Sequence, residues 1–289
     1  MTAFQRLSAL LALSLATFAA TAQPAATPAT GAATRVLFVG NSMTYANNMP
    51  RILRALAASQ PGGPAIDTAT YVIPGAELDE LWDDGHAAAA LREGDWDVVV
   101  LQERGGLVLC NARTTRTPEC RRSDAAHRAF ADLAKERGAR TLLLMTWPPA
   151  RGTDLKDAHG LDKLGERLQN SYATLERRLA RGGAPVTVVP AATTLYAFAR
   201  GREPESILAD GVHPSVEASL VMAAQLYASI IGQPAQAADM VIDFPLLPEN
   251  ALIHPDSPME TQAQIAGDGS KVLLKAAALV PLYAAAATE

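Results

Sequence analysis

The chain has 289 residues, 49% of them hydrophobic and 19% charged, enough to bury a sizeable core in one large domain or two small ones and too apolar for a disordered chain. Its formal charge of −5, without a basic cluster, excludes the electrostatic footprint of a nucleic-acid binder. It also lacks the basic amphipathic helix that holds a protein on an anionic membrane.

In chain order, Met1 to Arg6 carry one positive charge, Leu7 to Ala19 form a short apolar run, and Ala20-Thr21-Ala22 is a small-x-small cleavage pattern. Residues 1–22 are therefore expected to be a secretory signal peptide: the run is too short for a membrane span, and no lipid-accepting cysteine follows it. Residues 23–34 read as a Pro/Ala/Thr linker. Loss of the leader removes Arg6 and no acidic residue, leaving 24 basic against 30 acidic side chains, a charge of −6. The mature chain is expected in the periplasm or outside the cell, without stable membrane insertion.

From Val36 onward, apolar runs alternate with helical stretches. Strands are predicted at Val36 to Val39, Ala69 to Ile73, Val98 to Leu101, Thr141 to Thr146 and Val186 to Val189. Helices are predicted at Met49 to Ser59, Leu78 to Leu91, Asp124 to Arg137 (ended by Gly138), Leu161 to Arg181 (closed by Gly182-Gly183) and Pro214 to Ile231. Continuous rather than alternating apolar runs indicate strands buried on both faces, and their alternation with helices indicates a parallel sheet covered on each side. The expected fold is thus α/β, a five-stranded three-layer α/β/α sandwich over residues 35–231, with its ligand crevice beyond the carboxyl ends of the strands. Residues 232–289 form a C-terminal extension, read as an extended Pro-rich segment over the surface followed by an alanine-rich helix from Val272 to Ala287, with no function legible in it.

Cys110 and Cys120 lie ten residues apart in a polar stretch and are expected to form a disulfide in an oxidising compartment; two thiols without a nearby histidine make a poor zinc site. No glycine-rich phosphate loop or dinucleotide fingerprint occurs, which leaves nucleotide and NAD chemistry without support; no metal or organic cofactor is expected.

The first strand ends on Gly40-Asn41-Ser42, which is either an ordinary turn or a serine set at the sheet edge for chemistry. A serine nucleophile needs a base and oxyanion donors. Of the five histidines, His86 and His127 read as solvated helix faces, His159 lies in a polar loop and His254 in the C-terminal extension. His213 differs: in Asp210-Gly211-Val212-His213-Pro214 the aspartate can take the Nδ1 proton across a tight turn and leave Nε2 as a base. Alone, such a pattern is also a common helix-start cap.

Taken together, Gly40-Asn41-Ser42-Met43-Thr44 after the first strand and Asp210-Gly211-Val212-His213-Pro214 before the last helix resemble the opening and closing blocks of the SGNH (GDSL-type) hydrolase superfamily, over about residues 35 to 231. No G-x-S-x-G nucleophile elbow is present. The resemblance implies a flavodoxin-like sandwich and a serine esterase with Ser42 as nucleophile, His213 as general base and acid, and Asp210 orienting it. Its oxyanion hole would use the N–H of Ser42, Gly75 in Ile73-Pro74-Gly75-Ala76, and an amide after the third strand. There this chain departs from the family, with Gln102-Glu103 in place of Asn-Asp; it resembles a branch carrying that pair. Gln102 is expected to supply the third donor and Glu103 to support it or to pair with Arg104. Asn41 is expected to hold the serine turn, and Trp147, in Trp147-Pro148-Pro149, to form a stacking wall for substrate or to cover the sheet edge.

The expected activity is ester hydrolysis through an acyl-enzyme, on O-acetyl esters of polysaccharides. Lipase, arylesterase or thioesterase use of short acyl substrates is the alternative, as is a non-catalytic carbohydrate-binding module that kept the fold. The expected partner is accordingly an acetylated glycan or small acyl ester.

Overall fold

The computed structural model describes residues 32–63, 65–112, 117–149 and 157–287. The expected signal peptide lies outside the described residues, as does the linker except for its last three positions. Five strands, β1 (Thr34–Gly40), β2 (Ile66–Val72), β3 (Val98–Leu101), β4 (Arg140–Leu144) and β5 (Val186–Val189), form an all-parallel sheet in the order β2-β1-β3-β4-β5. Their registers set Gly40 opposite Val72 and Val39 opposite Leu101. The carboxyl ends of β1 and β3 are thereby brought side by side where the strand order reverses, the position at which an open α/β sheet leaves its crevice.

The helices are α1 (Ser42–Tyr45), α2 (Met49–Ser59), α3 (Leu78–Asp84), α4 (His86–Glu93), α5 (Pro118–Glu136), α6 (Ala158–Arg181), α7 (Ala191–Ala199) and α8 (Val216–Ile231). α2 packs against α8, while α3, α5 and α6 contact one another in succession, as right-handed crossovers require. Val36 to Val39 and Val98 to Leu101 are buried throughout, so the apolar runs fill both interfaces. The expected α/β/α sandwich with five parallel strands is the fold observed.

Several element bounds differ from expectation. The helix predicted from Leu78 to Leu91 is broken at Gly85, whose φ of 86° ends α3 and starts α4. α5 begins at Pro118, earlier than its apolar periodicity suggests, because the Thr117 hydroxyl caps the Cys120 N–H. His127 is not on a solvated face: it is 1% exposed, turned inward from α5. The Cys110 and Cys120 sulfurs are bonded, with Cα atoms 5.8 Å apart.

The C-terminal extension is part of the core rather than a covering. β6 (Met240–Ile242) and β7 (Val272–Leu274) pair antiparallel, and α9 (Ala276–Ala286) packs on α8. Met240, Ile242, Leu279, Leu282 and Tyr283 join the main hydrophobic core. A second cluster, built from Leu247, Ile253, Met259 and Ile265, closes over Tyr45 and Val72. The terminal helix starts at Ala276, not Val272, because the preceding residues are drawn into β7.

Candidate active site

β1 must end on a glycine. A Cβ at Gly40 would stand 2.6 Å from Gln102 Oε1 and 2.7 Å from Thr44 Oγ1. Beyond it, Asn41 ties three segments together. Its Oδ1 accepts the Met43 N–H (3.0 Å) and so caps α1, its Nδ2 donates to the Ala76 carbonyl (2.8 Å), and its backbone N–H donates to Gln102 Oε1 (2.8 Å). Ser42 is therefore held at the first position of α1, 7% exposed.

The loop before α8 presents His213 to it. Pro214 bridges Leu208, and the Ala209 N–H donates to the His213 carbonyl (3.0 Å), closing a tight turn with Asp210 at its corner. Asp210 Oδ1 accepts the Val212 N–H (2.9 Å) and the His213 N–H (2.7 Å), and Oδ2 lies 2.7 Å from His213 Nδ1. His213 Nε2 is 2.8 Å from Ser42 Oγ. With Asp210 ionised, Nδ1 carries the proton and Nε2 offers its lone pair to the serine hydroxyl. Partial burial would raise the Asp210 carboxyl, but it is outweighed by the His213 N–H, the imidazole hydrogen bond and charge, and the Val212 N–H, so the carboxyl is lowered from its ordinary value.

Gly75 follows β2 in a turn closed by the Ala76 N–H on the Ile73 carbonyl (3.2 Å). A Cβ there would meet open space; its φ of 72° is what reserves the position for glycine. The Asn41 bond to Ala76 fixes this turn beside Ser42.

Gln102 is placed differently from expectation. It is 1% exposed, and its Oε1 accepts both the Asn41 N–H and the Thr44 hydroxyl (2.9 Å), while Nε2 donates to the Glu103 carbonyl (2.6 Å). The amide is thus a strut between β3 and the serine turn, its oxygen rather than its nitrogen toward the Ser42 segment. Glu103 is likewise buried. Its Oε1 accepts the Leu78 N–H (3.1 Å) and the Arg104 N–H (2.7 Å), and its Oε2 accepts the Ser123 hydroxyl (2.5 Å). It links the start of α3 to α5, and the Arg104 guanidinium pairs with Glu77 instead. His127 backs this cluster, with Nδ1 2.7 Å from the Ser123 carbonyl and 3.9 Å from Glu103 Oε2.

Trp147 is not a stacking wall. It is 1% exposed, and its Nε1 donates to the Val212 carbonyl (2.8 Å), bracing the turn that carries Asp210 and His213. Gly105 packs directly beneath the Trp147 carbonyl. His86 pairs with Asp84 at the surface, and the backbone N–H and carbonyl of His254 bond the Gln262 side chain within the C-terminal extension; the imidazole bonded to Ser42 is that of His213. Among the described residues no group of three or more His, Cys, Asp and Glu side chains forms a metal site.

Residues that sequence reasoning missed include Thr44 and Asn47. Asn47 Nδ2 donates to the Pro214 carbonyl (2.8 Å) and to Ser219 Oγ (3.0 Å), joining the segment after Ser42 to the segment after His213. The Asn47-Asn48 pair was its available signal, since asparagine is enriched where a non-glycine residue takes a left-handed conformation.

No family model matches the chain, and no curated protein matches its sequence. Among solved structures it is similar to a catalytic variant of Axe2, an acetylxylan esterase from Geobacillus stearothermophilus, with a TM-score of 0.51 and 14% identity over 71% of this chain and 96% of that one. A second variant of that enzyme matches with a TM-score of 0.50 and 16% identity over 71% and 97%. At this identity the likeness is one of fold: this chain shares the parallel α/β architecture of these esterases.

Proposed function

We propose that the chain is an exported serine ester hydrolase acting on O-acetyl groups of polysaccharides. The observation that carries this reading is the continuous Ser42–His213–Asp210 hydrogen-bond chain, with distances of 2.8 and 2.7 Å at the carboxyl edge of a parallel sheet. The likeness in fold to acetylxylan esterases supports an ester substrate. The apolar leader and the disulfide support export.

In the proposed cycle, His213 Nε2 takes the Ser42 Oγ proton as Oγ attacks the ester carbonyl. The N–H groups of Ser42 and Gly75 receive the oxyanion, and Asp210 stabilises the imidazolium. The imidazolium then protonates the departing alcohol. Water, deprotonated by His213, attacks the acyl-enzyme and releases the acid and free Ser42. Gln102 acts through Asn41 and Thr44, holding the serine N–H in place, rather than as a third donor. Glu103, through Leu78, holds the helix that follows the Gly75 turn.

The test is hydrolysis of p-nitrophenyl esters from acetate to decanoate, and of acetylated xylan, by wild type beside Ser42→Ala. Turnover that peaks at acetate and disappears in Ser42→Ala is the expected result. A decanoate optimum would redirect the substrate to lipids; equal inertness of both proteins on every ester would sink the enzyme reading.

A further inference from the structure

We infer that Asn47 is a positioning residue that sets the spacing of Ser42 and His213, and that residues 245–249 of the C-terminal extension are the strap that holds it. This rests on the proposed pairing of Ser42 with His213.

The chain leaves α1 through Tyr45-Ala46-Asn47-Asn48. Asn47 and Asn48 have φ values of 57° and 59°, and no other non-glycine residue among the described ones has a positive φ. Two successive left-handed residues are costly and persist only where their surroundings over-determine them. Here the surroundings are three carbonyls at alternate residues of the segment that follows β6. Pro245 accepts from Asn48 Nδ2 (3.2 Å), Leu247 from the Asn47 N–H (2.8 Å) and Glu249 from the Tyr45 hydroxyl (2.5 Å). Leu247 anchors the segment by burying its side chain against Tyr45 and Val72.

Fixed in this way, Asn47 turns both protons of its amide toward the other half of the site. One goes to the carbonyl of Pro214, the residue after His213, and the other to Ser219 in α8. The nucleophile and the base, 171 residues apart, thus have a second connection besides their own hydrogen bond. The helix that carries Ser42 is only four residues long, so it supplies little stiffness of its own. Without the strap, the serine turn keeps its tie to Gln102 and the histidine turn its brace on Trp147, but the direct link between the two is lost. A misplacement of about 1 Å costs on the order of a hundredfold in rate.

Asn47→Gly tests this because it keeps the left-handed backbone and removes the amide; Asn47→Asp keeps the side-chain shape and removes the donor. Both are expected to lower kcat for p-nitrophenyl acetate by roughly tenfold to a hundredfold, with KM close to wild type and the melting temperature lowered by the loss of two part-buried hydrogen bonds. Tyr45→Phe, which loosens the strap at Glu249, should act in the same direction more weakly. The independent readout is the downfield proton resonance of His213 Nδ1, expected to broaden or shift in both Asn47 variants. If folded Asn47→Gly and Asn47→Asp keep both the wild-type kcat and the wild-type resonance, the positioning role is overturned while the esterase reading stands. If wild type itself hydrolyses no ester, the esterase reading falls, and the resonance alone decides: unchanged in folded variants it overturns the role, altered it supports it. Should Asn47→Gly not fold, Asn47→Asp and Tyr45→Phe are read by the same criteria.

Discussion

Asp210 accepts three hydrogen bonds, two from its own turn and one from the His213 ring, and these hold its carboxyl below the ordinary carboxylate range despite partial burial. It is therefore ionised at neutral pH, where it can hold the proton on His213 Nδ1. Asp210→Asn is expected to reduce kcat on the order of ten-thousandfold by stabilising the wrong tautomer. Because the folded value is depressed, the carboxylate stabilises the fold above the unfolded value of about 4, and that contribution is lost as pH falls through the lower folded value. Urea titrations of wild type and Asp210→Asn should accordingly differ above about pH 4 and converge below it; a difference that grows below that pH would contradict the assigned direction.

At the same scale, Gln102→Ala separates a strut from an oxyanion donor. It leaves the Asn41 N–H without its buried partner, a loss of about 1–3 kcal/mol, so stability should fall together with kcat. A donor role alone would lower kcat and leave the unfolding midpoint unchanged. Ser42 and the Asp210–His213 turn were legible because each is a local pattern. The roles of Gln102 and Trp147 were not. Which end of an amide faces the Ser42 turn depends on the pairing of β1 with β3, and whether an indole faces solvent depends on a turn 65 residues further on.

Among the secondary-structure elements, the strands were the most legible, since an apolar run such as Val98 to Leu101 has few alternatives when buried on both faces. α7 was missed because AATTLYAFA shows no polar face, and the break at Gly85 because one glycine within a helical pattern is often tolerated. What no local pattern could reveal is how β2, an edge strand, is closed. The Glu260 carboxylate accepts the Thr70 N–H (2.9 Å) and both the Thr68 and Thr70 hydroxyls (2.8 and 2.7 Å), occupying backbone that would otherwise be open to another strand. Glu260→Ala is expected to cost about 1–3 kcal/mol through the unsatisfied Thr70 N–H and to raise the tendency to self-associate. Chemical denaturation and light scattering at rising concentration would show both; a variant as stable and monodisperse as wild type would show that solvent replaces the carboxylate without penalty.

For the molecule as a whole, the division at residue 231 suggested by the family pattern is not a division of the core. α9 lies on α8, the helix that follows His213, and Met240, Ile242, Leu279, Leu282 and Tyr283 are buried in the same cluster as β1 and β3. A chain ending at Ile231 would expose the face of α8 that α9 covers, uncover Tyr45 and Val72, and release the Glu260 clamp from β2. Each lost large side chain withdraws roughly 1.5–3 kcal/mol of burial, against a total stability of only about 5–15 kcal/mol for a typical domain. The truncated chain is therefore expected to be insoluble or to bind a hydrophobic dye with lost near-ultraviolet dichroism, rather than to be a folded enzyme of reduced activity. A soluble truncation with a cooperative thermal transition would overturn this: it would mean that residues 35–231 fold alone and that the extension serves the Ser42–His213 geometry without being needed for the fold.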